Sequence, residues 1–178
     1  MRTSRPLLLQ STILAAFLFS SCALIGVPRR VPFNEADFAA YRGAGSSTVT
    51  GQLIVTSSDG ETHIGDGTHV TLLPVTPYTK EMVDREIGNG ENLAGSDPRL
   101  RPYVRLVTTD GQGNFVFDHL PAGEYFVCGL GEWYVGDDAQ YQWACERVAV
   151  GKGQAVRIKL SKNIQRPHSP TLVIWALE

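Results

Sequence analysis

The sequence lacks a hydrophobic run long enough to cross a bilayer as a helix. Its longest apolar stretch, Leu7 to Phe19, is interrupted by Gln10, Ser11 and Thr12 and offers about thirteen residues where a span needs about twenty. It also lacks an excess of positive charge, with Lys+Arg 16 against Asp+Glu 18. Arg2 and Arg5 are the only charged residues of 1–21, so the remainder holds 14 basic against 18 acidic residues, a net charge of −4. Such a chain is a poor partner for a phosphate backbone, which excludes a nucleic-acid binder. Nucleophile-elbow, Cys-His and phosphate-loop motifs are missing as well. Cysteine is scarce, and the count of three is odd, so pairing cannot account for all of them. Turn formers are what the chain has in quantity. Eighteen Gly and ten Pro in 178 residues point to short strands in one domain large enough for its own core.

The first 21 residues read as a secretory signal: a positive start at Arg2 and Arg5, an apolar stretch, then Ser20-Ser21-Cys22. The tetrapeptide FSSC, residues 19–22, resembles the lipobox of bacterial lipoproteins, with Phe19 in place of the usual Leu. That resemblance implies cleavage before Cys22, acylation of Cys22 and anchoring by several chains together. Ala23 in place of Asp resembles lipoproteins sorted to the outer membrane, so a periplasm-facing location is expected. Residues 22–47 then read as a lipidated N-terminus and tether. Within it Asn34 to Tyr41 could form a short helix capped by Asn34, with Glu35 and Asp37 in its first turn.

Residues 48–178 read as an all-β domain. Val49, Gly51, Leu53 and Val55 alternate with polar or outward positions, and Asp59-Gly60 closes the strand. His69 to Val75 follows, with Pro74 expected at an edge or strand end. Further strands are expected at Tyr103 to Thr109, Asn114 to Phe117, Glu124 to Leu130, Trp143 to Val150, Ala155 to Leu160 and Thr171 to Leu177. Their spacing suits an antiparallel β-sandwich of about seven or eight strands. One insertion, 76–102, breaks the pattern. Thr76-Pro77 offers an N-cap with proline at the first helical position, and a helix is predicted over 77–87, stopped by Gly88. Tyr78, Met82 and Arg85 share one face, which places this helix on the sheet edge.

The stretch TTDGQGNFVFDHLPAGEYFV, residues 108–127, has the form of a strand, a glycine turn at Asp110 to Gly113, a strand with Phe115 and Phe117 on one face, and a second turn at Pro121 to Gly123. With TVTGQLIV (48–55) and HVTLLPV (69–75) it resembles the carboxypeptidase regulatory-like domains of the transthyretin-like β-sandwich class, over roughly residues 48–160. In those carboxypeptidases the peptidase chemistry belongs to a separate zinc domain, so the resemblance implies an accessory module. Enzymes of the same class are matched less well. The hydroxyisourate hydrolases end in Tyr-Arg-Gly-Ser where this chain ends LVIWALE, and the intradiol dioxygenases need a Tyr/His iron set that is not apparent.

Four histidines are candidate ligands or bases. His63 and His69 flank Asp66 in HIGDGTH without a Cys or Glu partner, His119 adjoins Asp118 in a turn, and His168 lies between prolines. None has metal-ligand spacing, and no cofactor or metal is expected. Cys128 and Cys145 fall in the two predicted strands of one hairpin, and an oxidising compartment permits a disulfide between them. The intervening loop, GEWYVGDDAQYQW (131–143), gathers Trp133, Tyr134, Tyr141 and Trp143 around Asp137 and Asp138. These can cap the end of the sandwich, the plainer reading. They can also form a sugar-stacking platform, with flat rings for apolar sugar faces and carboxylates for hydroxyls. The functional expectation is a non-enzymatic, membrane-anchored accessory or interaction module of the bacterial envelope, with an envelope protein or a glycan as partner. The alternatives are a carbohydrate- or peptidoglycan-binding module and an enzyme of the transthyretin-like class.

Overall fold

The computed structural model describes residues 26–161, 163 and 164. The expected signal, the lipidation site Cys22, His168 and the strand expected at Thr171 to Leu177 lie outside them. Two sheets face each other. In the first, β1 (Ser47–Thr56) is central: it pairs antiparallel with β2 (Thr62–Ile64) and β5 (Asn114–Leu120), and parallel with β8 (Ala155–Leu160). The second runs in the order β4 (Arg105–Thr108), β3 (His69–Pro74), β6 (Gly123–Val135), β7 (Asp138–Val150), β9 (Asn163–Ile164), antiparallel throughout. The all-β sandwich is as expected, with the β1–β8 pair as its one parallel departure among the described residues.

Period-two patterning builds the core between the sheets. Val49, Leu53 and Val55 of β1 point inward onto Val70 and Leu72 of β3, Phe115 and Phe117 of β5, and Tyr125 and Val127 of β6, all buried. The Asp110 turn behaves as its residues require: Oδ1 accepts the N–H groups of Gln112 (2.9 Å) and Asn114 (2.8 Å). Pro74 is the last residue of β3, beyond the β4 register, so its missing donor breaks no ladder bond to that neighbour.

A third layer covers the outer face of the second sheet. The insertion forms α1 (Pro77–Met82), continued by a π-helical turn over Val83–Gly88, then a 3-10 helix at Pro98–Tyr103. Thr76 caps α1 in a reciprocal box with Thr79. Tyr78, Met82 and Ile87 are buried against Leu73, Phe126, Cys128, Trp143 and Cys145. The helix therefore lies across the sheet face and not along its edge, because β3, β6 and β7 carry apolar residues on both faces and need cover on both.

The segment expected as a tether is held to this layer from Val27 onward. Val27 bridges Leu93, and Phe38, in a 3-10 helix at Glu35–Tyr41 capped by Asn34, is fully buried. Its ring stacks on Phe33 at 4.7 Å. Ion pairs complete the joint. Glu81 accepts the N–H groups of Arg30 (2.8 Å) and Val31 (2.9 Å) and the Arg85 guanidinium (2.7 Å), Arg85 also meets Glu91 (2.5 Å), and Arg29 meets Glu86 (3.0 Å). Burial alone would raise the Glu81 carboxyl, but these donors outweigh it and hold the group below its ordinary value.

Candidate functional site

The region expected as an aromatic loop is instead a β-ribbon. β6 and β7 stay paired through Val135↔Asp138, so residues 131–143 are two arms joined by a two-residue turn at Gly136-Asp137. Gly136 takes φ +62, a conformation that glycine adopts without strain. Strand geometry then divides the aromatics by parity. Trp133 points to the same side as Tyr125 and Val127, where its ring stacks on His63 of β2 at 4.8 Å and 9°. His63 is fixed in turn by Ser57 Oγ at 3.3 Å. This contact ties the two sheets together at that end of the sandwich.

Tyr134, Tyr141 and Trp143 occupy the opposite side. Trp143 is 7% exposed and belongs to the core beneath the helical layer. Tyr134 and Tyr141 lie beyond that cover, 66% and 36% exposed, as diagonal neighbours across the ribbon. Their acid is Glu132, directly opposite Tyr141 in the register, whose Oε1 accepts the Tyr134 hydroxyl at 3.0 Å. That bond raises the Tyr134 pKa, with the Glu132 charge adding to it. Asp137 sits in the turn and Asp138 pairs with Val135 on the Trp133 side; both are exposed. The expected six-residue constellation is thus divided into a buried Trp143, a sheet-joining Trp133, two acids at the tip, and an exposed Tyr134/Tyr141/Glu132 surface. Glu132 escaped the sequence reading, although its two-residue offset from Tyr134 marks it once the segment is taken as a strand.

Cys128 and Cys145 form a disulfide across directly paired positions, with Cα atoms 4.2 Å apart. The histidines do not converge. His69 Nδ1 meets Thr108 Oγ1 at 3.2 Å, and His119 Nδ1 meets Asp118 at 3.2 Å. Among the described residues no cluster of three or more His, Cys, Asp and Glu side chains is placed to hold a metal, and no helix is long and apolar enough to cross a membrane.

No family model and no curated protein matches the chain significantly. A solved structure does: a crystal structure of a "putative carbohydrate binding protein" from Pseudomonas aeruginosa. It is similar at 28% identity and a TM-score of 0.65, over 74% of this chain and 99% of that one.

Proposed function

We propose that this chain is a carbohydrate-binding module of the bacterial envelope, non-enzymatic and anchored in the outer membrane through acylated Cys22. The observation that carries the reading is the likeness to the Pseudomonas protein, which extends over nearly all of that chain. The ribbon supplies a surface of suitable chemistry. Tyr134 and Tyr141 offer ring faces to the C–H faces of a pyranose, and Glu132 offers acceptors to its hydroxyls. The carboxypeptidase regulatory-like resemblance of residues 48–160 supports an accessory role, and the FSSC sequence at 19–22 supports the anchor.

Binding of the full-length protein to insoluble polysaccharides and to peptidoglycan tests this. Retention is expected on at least one glycan. It should fall by roughly tenfold or more in a Tyr134→Ala/Tyr141→Ala variant, since each ring contact is worth about 1 kcal/mol. No retention on any glycan would sink the reading. A second reading, docking of an envelope protein, is favoured by the exposed apolar side chains gathered at the ribbon tip, Tyr134, Val135 (60% exposed) and Tyr141. Crosslinking from membranes through the ribbon tip, with no glycan retention, would select it.

A further inference from the structure

Away from the ribbon, a pocket of ≈ 200 Å³ opens where the N-terminal segment, β3, β4 and the β5–β6 turn meet. Tyr41, Tyr103 and Tyr125 wall it, and the buried Leu72 and Leu120 lie beneath it. Tyr41 is held over the start of β6: its hydroxyl donates to the Glu124 carbonyl at 3.2 Å, and its ring lies so near Gly123 that a Cβ there would come within 2.5 Å of it. Tyr41 and Tyr125 meet edge to face at 5.3 Å. The charged groups of the lining are two guanidiniums, Arg42 and Arg105, with no carboxylate among the lining residues.

Neither arginine is used up. Arg105 donates to the carbonyls of Asp118 (3.0 Å) and His119 (3.4 Å) and has no carboxylate ion partner among the described residues. Arg42 donates to the Tyr103 hydroxyl (3.3 Å) and to Glu35 (2.5 Å), an ion pair more than half exposed on both sides. A guanidinium carries five N–H donors, so each keeps donors to spare. Of the nearby acids, Glu124 is paired with Arg147 at 2.7 Å, while the Asp118 carboxylate meets His119 at 3.2 Å and also feels the Arg105 charge.

We infer that this pocket binds a single carboxylate-bearing sugar ring, a uronic acid or a sugar acid of similar form, with Arg105 and Arg42 on the carboxylate and Tyr41 and Tyr103 against the ring. The charge argues for an anion: two arginines with spare donors favour a planar carboxylate that can accept in parallel. The volume argues for one ring, since it lies below the roughly 300–1,000 Å³ of sites for drug-sized ligands. The aromatic and proline walls, Pro74, Pro102 and Pro121 among them, favour a flat C–H face over a bare inorganic anion. The choice of a sugar rests on the carbohydrate-binding reading; the place and the charge rest on the pocket alone. The site is distinct from the Tyr134/Tyr141 surface, so the protein would hold an acidic glycan at two points, or a neutral glycan at one.

Calorimetric titration of the full-length protein with glucuronic acid, glucose and acetate tests this. Glucuronic acid is expected to bind about tenfold or more tightly than either of the others, and to weaken as salt is raised. Arg105→Gln should reduce its affinity about tenfold. Arg42→Gln, at an exposed position with little bearing on folding, should reduce it by a smaller factor. Equal binding of glucose, equal binding of acetate, or insensitivity to both arginine variants would overturn the inference. So would failure of glucuronic acid to bind at all. If polysaccharide retention through the ribbon persists in that case, only the pocket inference fails; if retention is absent too, the carbohydrate reading fails with it. Direct binding of an acidic peptide, abolished by Arg105→Gln, with none of glucuronic acid would overturn it and assign the pocket to a protein partner.

Discussion

Tyr125 shows how one side chain joins core, turn and pocket. Its ring is buried in the sandwich while its hydroxyl donates to the Pro121 carbonyl at 2.7 Å, closing the turn that precedes β6. Burial pushes its pKa up to about 12, with Tyr41 adding a smaller effect. The folded-state value lies above the unfolded value near 10, so the neutral phenol favours the folded protein. Its contribution is complete below about pH 10 and is lost as pH rises from there through about 12. The denaturation midpoint should therefore fall over that window, and Tyr125→Phe should make the fall shallower. A variant with an unchanged alkaline slope would show that Tyr125 is not the group responsible. At the same scale, Trp133 and Trp143 look alike in sequence but differ in role, because ten positions and one turn apart they face opposite sides of one ribbon.

The decisive element is the β6–β7 hairpin, whose continuous pairing carries both the disulfide and the exposed tyrosines. Cys128 and Cys145 are opposite each other on its outer face, beneath the helical layer. Closing a loop with a sequence separation of 17 should stabilise the fold by about 3 kcal/mol in the chain-entropy model. A Cys128→Ala/Cys145→Ala variant should lose about that much in denaturant titrations, and mass-mapped thiol labelling of the unreduced protein should leave both cysteines unmodified. Labelling without reductant would overturn the pairing. Elements of the insertion follow local rules closely: Thr76 caps, Pro77 begins the helix and the helical run ends at Gly88, as their chemistry requires. Which surface the helix covers was decided by the sheet.

For the molecule as a whole, the N-terminal segment acts as a strap across the third layer, fixed by the Glu81–Arg85–Glu91 and Arg29–Glu86 pairs. Glu81 and Glu91 both lie below their ordinary pKa. Folded-state values that are depressed mean the stabilisation is present above the unfolded carboxylate value near 4 and is lost as pH falls through the depressed values. Acidification should thus loosen the strap first, measured as lower amide-exchange protection in residues 27–33, relative to the unfolded-chain rate at each pH. Glu81→Gln, which leaves backbone donors and part of the Arg85 charge uncompensated in a buried place, should cost about 3 kcal/mol at neutral pH and flatten that acid response. If amide-exchange protection in the strap is unchanged by either treatment, the ion pairs do not hold it.

Local chemistry in the sequence determined the strands of the core, their turns, the capped helix and the hairpin that brings Cys128 to Cys145, because alternation, glycine turns and caps act over a few residues. The ribbon was misread as a loop because its arms, rich in Glu, Gln and Asp, show no burial alternation; the Gly136-Asp137 pair between aromatic flanks was the available signal. Tertiary structure alone decided the rest. The strap, the sheet face chosen by the helix and the Tyr41, Arg42, Tyr103, Arg105 and Tyr125 pocket depend on contacts between segments far apart in the chain. Such contacts form only where two surfaces each need burial or a partner for charge, and no local pattern records that need.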